Sequence, residues 1–155
     1  MTIEQRLAEL GLDLPAVAKP LAAYVPAVQT GNHIFTSGQL PTVNGKLDEM
    51  YKGSVGGAVA KENAKAAARM AILNALAAVK SVAGSLDRVE RVVKLVCFVA
   101  SDRDFTEQPF VANGASELLK EIFGAAGEHA RSALGVASLP LGACVEIELI
   151  VAVKP

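Results

Sequence analysis

The sequence predicts one α+β domain, in which two helices pack on one face of a mostly antiparallel sheet. A length of 155 residues suits a single domain, and a hydrophobic content of 52% is enough for a sizeable core. Strand-like and helix-like segments follow one another in the order strand, strand, helix, strand, helix, strand, strand. This order favours a two-layer sandwich over residues 1–155, without a linker or a second domain.

The composition narrows the classes of partner. The chain has 15 Lys and Arg residues against 16 Asp and Glu residues, so its formal charge is −1 at pH 7. Nucleic-acid-binding proteins usually present a basic surface, and this balance argues against one. The sequence also lacks an uninterrupted apolar window of about 18 residues and a basic amino-terminal segment followed by an apolar one. We therefore expect a cytoplasmic protein with neither nucleic acid nor a membrane as partner.

The cysteines and histidines do not predict a metal site. Cys97 and Cys144 lie in separate strand-like runs without a C-x-x-C spacing, which favours reduced, buried thiols over zinc ligands. His33 and His129 have no metal-ligand partner at a suitable spacing. His129 does lie two residues before Arg131, which makes it a candidate for the rim of a site.

The amino-terminal residues form an arm that precedes the main fold. Thr2 and Gln5 have the spacing of a capping box, which predicts a short helix over residues 2–10. The two prolines that follow restrict the backbone and favour an extended or irregular path. We expect residues 1–23 to pack as an arm, and residues 27–40 to form two short strands that meet at Gly31 and Asn32.

An alanine-rich helix is predicted over residues 55–82. Ser54 is a suitable N-cap, and Gly84 is a suitable stop. Three basic side chains recur four residues apart on the face predicted to be exposed, namely Lys61, Lys65 and Arg69. So much alanine would let the helix approach a sheet closely.

The strand predicted over residues 89–99 is apolar on both faces. One face would hold Val89, Val93, Leu95, Cys97 and Val99, and the other Val92, Lys94, Val96 and Phe98. A strand that is apolar on both faces needs two covers. The helices provide one cover, and we expect another copy of the chain to provide the second.

A second helix over residues 109–123 begins at Pro109 and ends before Gly124. Beyond it, residues 130–136 and 143–153 are strand-like and are separated by a turn rich in Pro and Gly, which predicts an antiparallel hairpin. In that hairpin Arg131 would face Glu146 or Glu148, and the turn leaves the register open.

Arg131 is the strongest candidate for chemistry that the residues alone offer. A guanidinium can hold a carboxylate through two parallel hydrogen bonds and so orient a small keto, imino or amino acid. The alternative is a structural ion pair with Glu146 or Glu148, and the residues by themselves do not decide between the two.

The motifs together resemble those of the RidA (YjgF) family of enamine and imine deaminases. The resemblance covers about residues 24–153 and would make this chain a longer member with an amino-terminal extension. It is carried by Gly31-Asn32, Ser37-Gly38-Gln39-Leu40-Pro41, Arg131-Ser132, Leu139-Pro140 and Val145-Glu146-Ile147-Glu148. It implies a chorismate-mutase-like fold, a homotrimer with sites in the clefts between subunits, and no cofactor.

The resemblance also implies roles for individual residues. Arg131 would hold the substrate carboxylate, and Glu146 would position or activate the water that attacks an imine carbon. The substrate-lining positions of the family match Tyr24, Ser37, Gly38, Asn113 and Ala133. Ala133 stands where the family archetype has a cysteine, so only backbone groups are available there and reactivity towards oxidants should be lost.

The activity implied by the resemblance is hydrolysis of reactive 2-aminoacrylate-like enamines and their 2-imino acids to 2-keto acids and ammonia, as in a 2-iminobutanoate/2-iminopropanoate deaminase. One alternative is a protein that binds 2-keto acids without turnover, or acts like a chaperone. The endoribonuclease label that often accompanies the family is less favoured. It would call for a basic surface and stacking aromatic residues, and only 5% of the residues are aromatic.

Overall fold

The computed structural model of the chain describes residues 1–17, 19–20 and 22–155. Five strands form one sheet, and three α-helices lie against it or at its margin. The elements are α1 (Ile3–Glu9), β1 (Ala27–Thr30), β2 (His33–Thr36), α2 (Lys61–Ala83), β3 (Val89–Ala100), α3 (Gln108–Phe123), β4 (Ala130–Val136) and β5 (Val145–Val153). The predicted α+β sandwich is confirmed.

The sheet is mixed, with the strand order β1-β2-β5-β3-β4. The β1–β2, β2–β5 and β3–β5 pairs are antiparallel, and the β3–β4 pair is parallel. Helices α2 and α3 pack against each other and cover one face of the sheet. On β5 the residues from Val145 to Val153 alternate as predicted, with the odd-numbered side chains buried under the helices.

The predicted carboxy-terminal hairpin is wrong. Strand β4 pairs with β3, and β3 separates it from β5. The crossover through α3 is long enough to bring β4 back parallel to β3, which a two-residue turn could not do. β5 is apolar enough to occupy the centre of the sheet between β2 and β3. Arg131 therefore has Leu95, and no glutamate, as its cross-strand neighbour.

Helix α2 begins six residues later than predicted. Val55 does not open the helix because its backbone N–H donates to the carbonyl of Ala100 at 2.7 Å, which ties residue 55 to the end of β3. Gly56 then adopts a φ of 92°, outside the helical region. The predicted ends of both long helices at Gly84 and Gly124 are confirmed.

Most of the alanines of α2 are buried in the core. By length and composition α2 could cross a membrane, but 67% of its most apolar window is buried inside this fold, as in a core helix. Three of its basic residues pair with glutamates of α3 or the loop before it, as Lys61–Glu107 at 2.9 Å, Lys65–Glu117 at 3.3 Å and Arg69–Glu121 at 3.7 Å.

The face of the sheet opposite the helices is open in the single chain. Its exposed apolar side chains include Val28, Phe35 and Leu134. Two register shifts near the start of β3 interrupt the predicted alternation, so that Val92 is fully buried and Val93 only partly. From Leu95 onward the alternation is regular, and Val96 and Phe98 face the open side.

Part of the amino-terminal arm is docked on the core. The capping box of α1 is present, with both Thr2–Gln5 hydrogen bonds formed. Leu7 is buried in the core, and Glu4 pairs with Lys80 at 3.0 Å. Ala18 and Leu21, which belong to the arm predicted over residues 1–23, lie outside the described residues.

Leu141 adopts a left-handed conformation with φ 59° and ψ 13° in the short turn Pro140–Gly142, and its side chain is 70% exposed. A left-handed residue with a Cβ costs roughly 1–2 kcal/mol, and asparagine tolerates this region better than leucine. We expect Leu141→Asn to raise the free energy of unfolding by up to about 1 kcal/mol. Urea titration measures it, with Met50→Asn, at another exposed apolar position, as the control. Equal effects of the two changes would contradict the assignment of strain to Leu141.

Candidate active site

Arg131 lies on the edge strand β4 and points towards α3. Its Nη1 donates to Oδ1 of Asn113 at 2.8 Å and to Oγ of Ser116 at 3.2 Å. Asn113 and Ser116 are three residues apart, so the helical repeat places both side chains on one face of α3. The structure therefore brings together Arg131 and Asn113, two of the predicted site residues.

A shallow pocket of about 280 Å³ opens beside Arg131, and we call it the Arg131 pocket. His129 stands in its wall, with Nε2 2.9 Å from Oγ of Ser116 and Nδ1 2.6 Å from the carbonyl oxygen of Gly127. The other lining residues are Ser116, Lys120, Gly127, Glu128 and Arg131. Lys120 is paired with Glu128 at 3.1 Å.

Ala133 lies two residues after Arg131 and is half-buried opposite Cys97 of β3. Both cysteines are free and buried, as predicted. Burial raises the pKa of the Cys97 thiol to about 12, so the thiol stays protonated at neutral pH although Arg131 acts in the opposite direction.

Tyr24, Ser37 and Gly38 line one cavity of about 340 Å³, which we call the Tyr24 cavity. Tyr24 is 57% exposed at its mouth. The Ser37 hydroxyl donates to the carbonyl of Val25 at 2.6 Å, which fixes the chain segment that carries Tyr24 against the end of β2. Leu141 also lines this cavity.

Glu146 lies beside Gly38. A Cβ added at Gly38 would be 2.8 Å from Cδ of Glu146, so a larger residue would displace this carboxylate from its present position. Desolvation raises the pKa of the Glu146 carboxyl, and the negative charge of Glu148 raises it further. A half-buried carboxylate with a raised pKa is well suited to accept a proton.

The predicted site residues therefore form two clusters rather than one. Arg131 pairs in register with Leu95, whose side chain is buried beneath the helices, whereas Glu146 pairs with Phe98. Leu95 and Phe98 are three residues apart on a regular strand, so their side chains lie on opposite faces of the sheet. The predicted meeting of Arg131 with Glu146 or Glu148 does not occur within one chain.

Ser116 was not identified from the sequence. Its position three residues after Asn113 in a predicted helix is the signal that could have found it. His129 was noted only for its distance along the chain from Arg131, and Ser116 is the residue that connects the two. Among the residues that the structure describes, no three His, Cys, Asp or Glu side chains are grouped as metal ligands would be.

Comparison with known proteins identifies the family. A family model described as "YjgF/chorismate_mutase-like, putative endoribonuclease" matches residues 4–153. Protein TCP17 of Trypanosoma cruzi is 43% identical over 150 residues, which cover 96% of this chain and 92% of the relative. The 2-iminobutanoate/2-iminopropanoate deaminase of Dermatophagoides farinae is 32% identical over 143 residues, or 92% of this chain and 95% of that protein.

A solved structure resembles the whole fold. The protein Atu1372 of Agrobacterium tumefaciens, whose function is unknown, superposes with a TM-score of 0.89 at 46% identity, covering 98% of this chain and 92% of the other. The family match spans both clusters of predicted site residues and nearly the full chain. The chain belongs to the YjgF/RidA family.

Proposed function

We propose that the protein is a cytoplasmic deaminase that hydrolyses 2-imino acids, formed from 2-aminoacrylate-like enamines, to 2-keto acids and ammonia. Arg131 binds the substrate carboxylate, and Oδ1 of Asn113 accepts a hydrogen bond from the Arg131 guanidinium. Glu146 directs water onto the imine carbon. The named activity of the Dermatophagoides farinae relative supports this choice of reaction.

The chemistry needs only a carboxylate anchor and a base. As the oxygen of water bonds to the imine carbon, a proton passes from the water to Glu146 and the C=N π electrons move to nitrogen. Glu146 returns this proton to nitrogen, which gives the neutral carbinolamine. The proton of the new hydroxyl group then passes through the same carboxylate to nitrogen, and the C–N bond breaks as the C=O bond forms. Ammonia leaves, the 2-keto acid remains, and the carboxylate of Glu146 is regenerated.

The separation of the two clusters is the observation that carries the proposal of a site between copies. Arg131 lies on the edge strand β4 and binds Asn113 of α3, whereas Glu146 lies beside Gly38, which lines the Tyr24 cavity. A second copy whose open sheet face packs over the β4 edge of the first would place its Glu146 cluster beside the Arg131 cluster of the first. A closed ring of three copies would use this contact three times.

The experiment is complementation between two defective chains. Arg131→Ala and Glu146→Gln each remove one half of the proposed site, and we expect each variant alone to release little ammonia above background. Refolding a 1:1 mixture lets copies combine at random. Intact pairs of half-sites then form in about a quarter of the clefts, so about a quarter of the wild-type activity should return. The assay follows ammonia and keto-acid release from imino acids made in situ by an amino-acid oxidase.

The control mixes Glu146→Gln with Gly38→Val, which damages the same half because the new side chain displaces the Glu146 carboxylate. No activity should return in that mixture. An active wild type without recovery in the first mixture would contradict a site shared between copies. Binding of 2-keto acids by a wild type that releases no ammonia would favour the alternative of a binding protein.

A further inference from the structure

We propose that Ser116 and His129 are positioning residues that lock the Arg131 guanidinium in the orientation needed to bind the substrate carboxylate. The inference rests on the proposed role of Arg131 in the deaminase. Four groups form a continuous hydrogen-bonded chain from Arg131 through Ser116 and His129 to the carbonyl of Gly127.

The hydrogen-bonding capacities of the two ends fix the donors of the two outer hydrogen bonds. A guanidinium only donates, so Oγ of Ser116 must accept from Nη1 of Arg131. A carbonyl only accepts, so Nδ1 of His129 must carry the proton that it shares with Gly127. The middle bond joins Oγ of Ser116 to Nε2 of His129, and in the Nδ1–H tautomer of the imidazole the Ser116 hydroxyl donates to Nε2.

Both ends of the chain are anchored in rigid backbone. Ser116 lies in the third turn of α3, and Gly127 is buried against the last turns of the same helix, where a Cβ would overlap the carbonyl oxygen of Leu119. His129 bridges these two anchors just before β4 begins. Because Asn113 also binds Nη1, one end of the guanidinium is fully engaged. Nε and Nη2 have no hydrogen-bond partner among the described residues, and Arg131 lines the Arg131 pocket, so these nitrogens can bind a carboxylate.

We call this hydrogen-bonded chain the Arg131 clamp. Its loss should weaken substrate binding without slowing the chemical step. Arg131 contacts the carboxylate in the ground state and the transition state alike, so misorientation removes uniform binding, which raises KM and leaves kcat unchanged. Ser116→Ala removes a hydrogen bond to the charged guanidinium, and His129→Leu releases the Ser116 hydroxyl that accepts this bond. We therefore expect each change to raise KM for 2-imino acids about tenfold.

Three comparisons test the clamp. Ser116→Thr keeps the hydroxyl and should behave like the wild type. Ser81→Ala removes a helical hydroxyl that bonds only its own helix, to the carbonyl of Ala78 at 2.7 Å, and should change nothing. An imine of the same alkyl chain that lacks a carboxylate should be turned over equally by the wild type and Ser116→Ala. A loss in Ser116→Ala that is as large for this imine as for the imino acid would mean a general structural defect and overturn the proposal.

Two further results would distinguish a failure of this proposal from a failure of the proposed function. If Arg131→Ala raises KM strongly while Ser116→Ala has the KM of the wild type, the proposed deaminase function stands and the proposed role of Ser116 and His129 is overturned. If the wild type shows no turnover, nitrogen-15 spectra of the Arg131 guanidinium still report the clamp without substrate. We expect slow rotation about the Cζ–Nη1 bond of Arg131 in the wild type and faster rotation in Ser116→Ala. Equal rotation rates in the two proteins would overturn the proposal.

Discussion

Replacing Glu146 with glutamine is expected to lower kcat by about 10²–10⁴-fold, the usual contribution of a positioned proton acceptor. The amide keeps the shape of the side chain beside Gly38 but cannot take a proton from the attacking water. KM for the imino acid should change little, because Arg131 holds the carboxylate. Single-turnover release of keto acid, corrected for background hydrolysis, measures the chemical step. A variant with wild-type kcat would show that Glu146 is not the base.

The same substitution should leave the chain at least as stable as the wild type at neutral pH. Burial raises the pKa of Glu146 in the folded chain above its unfolded value, so the protonated form is favoured on folding. This contribution to stability is full at low pH and is lost as the pH rises through the folded-state pKa. Glutamine carries no charge to desolvate, so the thermal midpoint of Glu146→Gln should not fall.

Glu148→Gln is the matched control, since Glu148 lies two residues further along β5 and its side chain is exposed. It should retain kcat. The raised pKa of Glu146 also places the acid limb of the kcat profile above the ordinary carboxyl value of 4.5, and the charge of Glu148 contributes to that rise. The limb should therefore move to lower pH in Glu148→Gln. An unmoved limb would mean that another group controls it.

Gly114→Ala is expected to destabilise the fold by about 3 kcal/mol. An ordinary glycine-to-alanine change within a helix stabilises it by about 1 kcal/mol, because alanine has the higher helix propensity. At Gly114 the new methyl group would overlap the backbone carbonyl of Lys65, where α3 packs against α2, and a backbone atom cannot swing aside. The steric overlap should outweigh the gain in helix propensity. A decrease in the free energy of unfolding would therefore identify the overlap as the dominant effect.

Urea unfolding measures this change, provided that the slope with denaturant is the same in both proteins. Asn63→Ala, at an exposed position of α2, is the control and should raise stability by a few tenths of a kcal/mol through propensity alone. Stabilisation of both variants would show that α2 and α3 can separate at Gly114 without loss of packing.

The sequence predicted features that local chemistry decides. The capping box at Thr2, the ends of the long helices at Gly84 and Gly124, and the alternation along β5 all depend on neighbours within a few residues. The start of α2 was placed too early because a bond from Val55 to Ala100, 45 residues away in sequence, competes with the helix. The prediction that β4 pairs with β5 was wrong for the same reason, because the pairing of β4 with β3 depends on residues that are distant in the sequence.

The candidate site divides in the same way. Arg131, Asn113 and Glu146 could be named from motifs, and the structure gives each a defined environment. The separation of Arg131 and Glu146 onto two faces of the sheet could not be predicted, because it follows from the registers of β4 and β5 against β3. Ser116 was within reach of helical periodicity but carries no motif of its own.

A second copy on the open face of the sheet would make the lifetime of a chain depend on the concentration of the protein. If a copy covers Val28, Phe35 and Leu134, the free energy of that contact adds to folding only when the chains associate. Dilution then lowers the melting temperature, although no intramolecular contact has changed. In a cell, the first chains made would be the most vulnerable to proteolysis, and protection would grow as the protein accumulates.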